Sequence, residues 1–169
     1  YESCNLGSIN LEKMLNRSEN LPEIDWEKLK ETVHLCVRML DDVVEANRYP
    51  IPEIDQMSRA TRRIGLGVMG WADLLIELGI PYDSPLALEL AERVMREIQT
   101  YAHEASQDLA QERGAFPAFP GSIYDRPGAR PMRNSAPTTI APTGTISIIA
   151  NCSSGIEPLF ALSYVRNVM

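Results

Sequence analysis

Apolar residues recur along this chain at helical spacing in two long stretches. Between positions 25 and 47, Trp26, Leu29, Val33, Cys36, Val37, Leu40, Val43 and Val44 follow the i, i+3, i+4, i+7 stripe of an amphipathic helix. Asp25 is placed to cap it, its carboxylate accepting first-turn amides, with Ile24 stapled across the cap. A second stripe, Ala87, Leu90, Ala91, Val94, Met95, Ile98, Ala102, Ala105 and Leu109, predicts a helix over 85–113. Ser84 is its N-cap, Pro85 its first helical residue, and Gly114 its stop. Shorter helices are expected over 54–61 and 71–78, the latter closed by Gly79.

Strand signals are shorter. Residues 3–11 mix small and apolar side chains with partial alternation and predict a buried strand that runs into a helical turn at 12–15. Residues 16–22 form a polar loop, and 138–141 and 156–165 are further strand candidates. Residues 115–133 are rich in Pro and Gly and predict a long surface excursion, a length that is usually functional or mobile. Strands separated by helices predict an α/β architecture with parallel strands. With only about four strands, such a sheet lacks the cover that parallel sheets need on both faces. Residues 1–169 are therefore expected to be one partial domain of a larger fold.

Composition narrows the function. The 169 residues are 44% hydrophobic and 23% charged, ordinary globular values. Sixteen basic against 23 acidic residues give a net charge of −7, which argues against a nucleic-acid partner. No apolar run reaches the ~18 residues of a membrane span, and no basic-then-apolar leader opens the chain, so no membrane partner is expected. Cys4, Cys36 and Cys152 are an odd number of widely spaced thiols, which points to a reducing, cytoplasmic setting. No metal site is expected, because His34 and His103 stand apart and no C-x-x-C pair is present. Cys36 lies in the first stripe as a small buried hydrophobe, while His34 lies off it and is expected in solvent.

Two motifs carry possible ligand chemistry. Gly65, Gly67 and Gly70 fit G-x-G-x-x-G, but a dinucleotide site needs a buried strand before the first glycine. Residues 61–64, Thr-Arg-Arg-Ile, are too short and too charged for that, so close strand–helix packing is the expectation. Pro142, Thr143, Gly144, Thr145 and Ile146 lead from the 138–141 strand towards a helix start, with hydroxyls and a glycine and no lysine. Free amides and the positive helix end there suit a phosphate or pyrophosphate, and a ligand-free Thr/Ser cap fits equally well. Cys4 sits among small residues where a thiol is either redox-active or merely buried; Cys152 has no histidine near it in sequence.

Three blocks, CNLGSINL from Cys4, RIGLGVMG from Arg63 and NSAPTTIAPTGTIS from Asn134, together resemble the large catalytic chain of ribonucleotide reductase. The resemblance runs along essentially the whole length. The wording GVMGWADLL and NCSSGIEPLFALSY is most similar to the adenosylcobalamin-dependent class, with the diiron-dependent class, and its radical subunit, a weaker match. The resemblance implies part of a ten-stranded α/β barrel of the ribonucleotide reductase type, which reduces ribonucleotides by thiyl-radical chemistry. It implies that Cys4 is one of two electron-donor cysteines and that Pro142, Thr143, Gly144, Thr145 and Ile146 hold the substrate's phosphates. A thioredoxin-type reductant, nucleotide effectors bound elsewhere and a homodimer of the full chain are the implied partners. The finger loop with the radical cysteine is expected before Tyr1, and the last strands and shuttle cysteines after Met169. The segment alone is then expected to be inactive. Neither Cys36 nor Cys152 fits the second donor.

Overall fold

The computed structural model describes residues 1–17, 22–161 and 163. Strand β1 (Asn5–Asn10) passes through a 3-10 turn (Leu11–Met14) into β2 (Leu15–Asn16), which pairs antiparallel with β3 (Glu23–Ile24). Helix α1 (Trp26–Ala46) starts at Asp25, whose carboxylate accepts from the Lys28 amide at 2.9 Å. Helix α2 (Pro52–Thr61) leads into β4 (Ile64–Met69), then come α3 (Trp71–Glu77), α4 (Pro85–Arg113) and the single turn α5 (Ile146–Ile149). The expected helices all form, and Ser84 caps α4 by accepting from the Ala87 amide.

Strands β1 and β4 pair in parallel, from Asn5 opposite Ile64 to Asn10 opposite Met69. Side chains alternate across a strand, so the pair has two unlike faces. Gly7, Ile9, Ile64, Leu66 and Val68 face α1, which also packs against α4. Leu29, Val33, Val37, Ile98, Ala102 and Leu109 complete that core. The other face carries Leu6, Ser8, Asn10, Gly65 and Gly67, with Cys4 at its start. Leu6 is 59% exposed there.

Residues 136–139 extend the sheet beyond β4. The Ile64 and Leu66 amides donate to the Ala136 and Pro137 carbonyls, and the Thr139 amide donates to Leu66. The result is one parallel bridge, Leu66 to Thr138, rather than the full strand expected over 138–141. Pro137 has no amide to extend the ladder. Residues 156–161 and 163 form no strand; the remainder of that candidate lies outside the described residues. The described residues are a mixed helix and strand assembly with no closed sheet.

A buried charged knot fixes where this extra segment begins. Asp41 lies on the α1 core stripe and is fully buried. Its Oδ1 accepts from Arg62 Nε at 2.8 Å and Asn134 Nδ2 at 3.0 Å, and its Oδ2 from Arg133 Nε at 3.3 Å. Arg62, with φ +45° at the end of α2, also donates to the Asp41 carbonyl and to Glu45. Asn134 completes its bonding with the Arg62 carbonyl and Ser106 on α4. The 115–133 excursion is anchored as well, by the Phe116 amide on Met132 and the Ala118 amide on Ala60. His34, expected in solvent, is instead half-buried, with Nε2 at 3.9 Å from Glu104 on α4. No described helix is long and apolar enough to cross a membrane.

Candidate functional site

The glycine motif is a strand, not a phosphate loop. Gly65 and Gly67 lie inside β4, which is buried along its whole length, so the first two glycines form no open turn to receive a dinucleotide's pyrophosphate. Ile64 begins that strand, and the charged pair Arg62 and Arg63 stays outside it. The glycines make room on the face away from the helices, which corrects the expectation of strand–helix packing. A Cβ on Gly67 would lie 2.8 Å from the Thr139 carbonyl oxygen, and one on Gly65 would lie 2.9 Å from the Thr139 methyl and 3.2 Å from Cys4 Sγ. Gly67→Ala is therefore expected to destabilise by about 1–3 kcal/mol, since backbone rather than a flexible tip must yield. Gly144→Ala, where a Cβ meets nothing within 4 Å, should leave the melting temperature unchanged. A thermal melt of the two variants compares them directly.

The same approach carries the chain to the candidate ligand loop. Residues 136–139 run parallel to β4, and the next turn emerges towards its carboxyl end, the usual ligand side of a parallel sheet. There Thr143 is buried with φ +56°, a left-handed conformation that is unusual for a β-branched residue. Pro142, Gly144, Thr145 and Ile146 are exposed. The Ser147 amide donates to the Thr143 carbonyl and closes the first turn of α5. The amides of Thr145 and Ile146 belong to that turn and have no acceptor among the described residues. Because α5 has only four residues, its macrodipole adds little, and local N–H groups carry any attraction for an anion.

The loop is held from behind. The Gly155 amide donates to Thr143 Oγ1 at 2.7 Å, the Cys152 amide to the Ser147 carbonyl at 3.0 Å, and the Ser147 and Ser154 hydroxyls meet at 2.9 Å. Ser153 ties this return segment to α3. Its amide donates to Asp73 Oδ2 at 2.6 Å, and its carbonyl accepts from Gly70. A cavity of about 430 Å³ opens here, lined by Asp73, Ser147, Asn151, Cys152 and Glu157 among others.

Cys4 stands at the amino end of β1 on the glycine face. The loop at 142–146 follows the carboxyl end of β4, roughly 17 Å further along a six-residue strand. The two predicted features thus share a face without touching. The Cys4 residue is open to the surface, but its sulfur lies against Gly65, and that cover pushes the thiol up while the Arg63 charge pulls it part of the way back. The Cys152 thiol is pushed up by burial and by Asp73 and Glu12, so it is no activated nucleophile. Cys36 packs on the core, as its stripe position requires. No group of three or more His, Cys, Asp or Glu that could hold a metal occurs among the described residues. Asp73, Ser153 and the Asp41 knot were not singled out by sequence reasoning. A charged residue four positions after Val37 on an apolar stripe, and a helix starting on Gly70 with Asp73 three residues on, are the signals that mark them.

A parallel βαβ unit is a recurrent arrangement, and comparison with known sequences shows which family this one belongs to. The sequence model for the ribonucleotide reductase barrel domain matches residues 1–129 and 128–169, so the chain belongs to the ribonucleotide reductase family. It is 57% identical over 169 residues to the vitamin B12-dependent ribonucleoside-diphosphate reductase of Thermoplasma acidophilum, covering all of this chain and 22% of that protein. Its identity to the Mycobacterium tuberculosis (strain CDC 1551 / Oshkosh) protein of the same name is 56%, covering 24% of it. The ribonucleoside-diphosphate reductase subunit alpha of Chlamydia pneumoniae is 36% identical across 97% of this chain and 19% of that protein. The chain thus spans less than a quarter of the length of these curated relatives.

Proposed function

We propose that this chain is the part of a ribonucleoside-diphosphate reductase catalytic barrel that grips the substrate's phosphates and supplies one reducing thiol. The supporting observation is the turn at residues 142–146 at the carboxyl side of a parallel sheet, exposed at Pro142, Gly144, Thr145 and Ile146, with the Thr145 and Ile146 amides lacking acceptors among the described residues. In this reading, the substrate lies along the glycine face, phosphates on Pro142, Thr143, Gly144, Thr145 and Ile146 and ribose towards Cys4. The flat stretch left by Gly65 and Gly67 is the floor beneath it.

The proposed chemistry balances in two thiols. The ribose C2′–O bond breaks, the oxygen leaves as water, and C2′ gains hydrogen. Cys4 and a second cysteine lose two electrons and two protons and close a disulfide. A raised Cys4 pKa suits this role, since the thiol carries its proton to the reaction at neutral pH. We place the segment, residues 1–169, as one partial domain in a ten-stranded barrel of a homodimeric enzyme with nucleotide effectors and a thioredoxin-type reductant. The cytoplasm suits its three free thiols.

Adenosylcobalamin is proposed as the cofactor of the whole enzyme on the names of the B12-dependent relatives. No described residue is assigned to holding it: neither the 430 Å³ cavity nor the 350 Å³ apolar groove beside α4 is lined by a histidine that could ligate cobalt.

The test is Gly144→Val in the full-length enzyme. Because a Cβ there meets nothing within 4 Å, the added methyls project into the space a phosphate would take rather than into the protein. The expected result is a loss of ribonucleoside diphosphate affinity of at least tenfold, or about 1.4 kcal/mol, with an unchanged melting temperature. Wild-type affinity by calorimetry would remove the phosphate role from this loop.

A further inference from the structure

We propose that Asp73 is a positioning residue for the phosphate loop, acting through Ser153; the inference rests on the phosphate role proposed for residues 142–146.

The loop cannot hold its shape alone. Thr143 sits at φ +56° and Asn151 at φ +53°, conformations that persist in non-glycine residues only where surroundings enforce them. Enforcement comes from the return segment: Gly155 on Thr143 Oγ1, Ser154 on Ser147, Cys152 on the Ser147 carbonyl. That segment needs its own anchor, and Ser153 provides it.

Helix α3 begins on Gly70, whose φ of +73° suits the turn but which has no side chain to cap the first amides. Ser153 takes over that role from 80 residues away. Its hydroxyl accepts from the Asp73 amide at 3.4 Å, and the Asp73 carboxylate accepts from the Ser153 amide at 2.6 Å. This is the reciprocal bonding of a capping box, in which Asp73 is the third helical residue and the cap comes from another part of the chain. The Gly70 amide adds a third bond, to the Ser153 carbonyl at 2.8 Å. Since α3 continues directly from β4, the loop is bolted to the central strand. A bond with one charged partner is about twice as strong as a neutral one, which makes Asp73 the principal fastener.

The experiment compares Asp73→Ala, Asp73→Asn and Ser153→Ala in the full-length enzyme, with Gly144→Val as reference. Binding of a ribonucleoside diphosphate and of the matching unphosphorylated ribonucleoside is measured by calorimetry, alongside thermal melting. Asp73→Ala is expected to weaken the diphosphate about tenfold while leaving the ribonucleoside within twofold of wild type. Asp73→Asn keeps an oxygen to accept from Ser153 and is expected to restore most of the affinity. Ser153→Ala keeps the amide that Asp73 accepts from and loses only the longer 3.4 Å hydroxyl bond, so alone or added to Asp73→Ala it should cost little. Unchanged diphosphate affinity in Asp73→Ala overturns the inference, as does an equal loss for both ligands or an Asn variant as weak as Ala. Should Asp73→Ala not fold, Asp73→Ser, whose shorter side chain falls short of the Ser153 amide, takes its place in the same comparison. If Gly144→Val also leaves diphosphate affinity intact, the phosphate reading itself has failed; if only the Asp73 variants are silent, the positioning role alone has.

Discussion

Asp41→Ala is expected to cost about 3–5 kcal/mol, the range for breaking a buried ion pair by removing one partner. The loss is large because of what remains. Arg62, 4% exposed, keeps its charge without its main acceptor, and the Asn134 amide loses one of its two partners. Arg133 and Arg113 lose a shared carboxylate oxygen. A lower urea midpoint at unchanged slope would record the effect, and a loss under 1 kcal/mol would show the knot to be dispensable. Titration gives an independent check. Burial pushes the Asp41 carboxyl up, but the Arg62 hydrogen bond and charge, with Arg133, more than offset it and hold the group below the ordinary carboxylate range. A carboxyl depressed on folding stabilises above its unfolded value, near 4, and that stability drains away as pH falls through the folded one. Wild type should therefore lose stability below about pH 4 more steeply than the Asp41→Asn variant, which has no proton to take up at this position.

Cys4→Ser should reduce steady-state deoxyribonucleotide formation by the full-length enzyme to background. A serine oxygen occupies nearly the same space beside Gly65 but cannot join the proposed disulfide, whose formation gives up the two electrons that the substrate takes. Substrate affinity should stay at the wild-type level, because the loop at 142–146 lies at the other end of the strand pair. Normal multiple turnover in this variant would remove Cys4 from the electron path. The thiol's environment can be read separately. With burial raising its pKa and Arg63 lowering it, alkylation of Cys4 should reach half its maximal rate above the pH of an ordinary cysteine. Arg63→Ala should move that midpoint higher still, since it removes the one nearby charge that favours the thiolate.

Helices were legible in the sequence where their information is local. The stripes on α1 and α4 announce a buried face within every seven residues, and Asp25 and Ser84 cap the helices that follow them. The β4 strand is hard to read in the sequence because glycine carries little strand propensity; the need for glycine there comes from Thr139, 72 residues after Gly67, crossing close above. The turn at 142–146 was recognisable from its Pro, Thr and Gly chemistry. Its restraint was not, because Ser153 and Asp73 become partners only when the chain returns to α3.

By itself the sequence determined which faces of the long helices are buried, where they begin, the family, and the residue types of the turn proposed to hold a phosphate. Only the tertiary structure decided that Asp41 is the anchor of four segments, that the glycines make way for a neighbouring backbone, and that a distant serine caps α3. The physical reason is range: a capping residue or an apolar stripe acts within one or two helical turns, whereas these bonds join groups 21 to 93 residues apart. Such groups meet only after the helices and strands have packed.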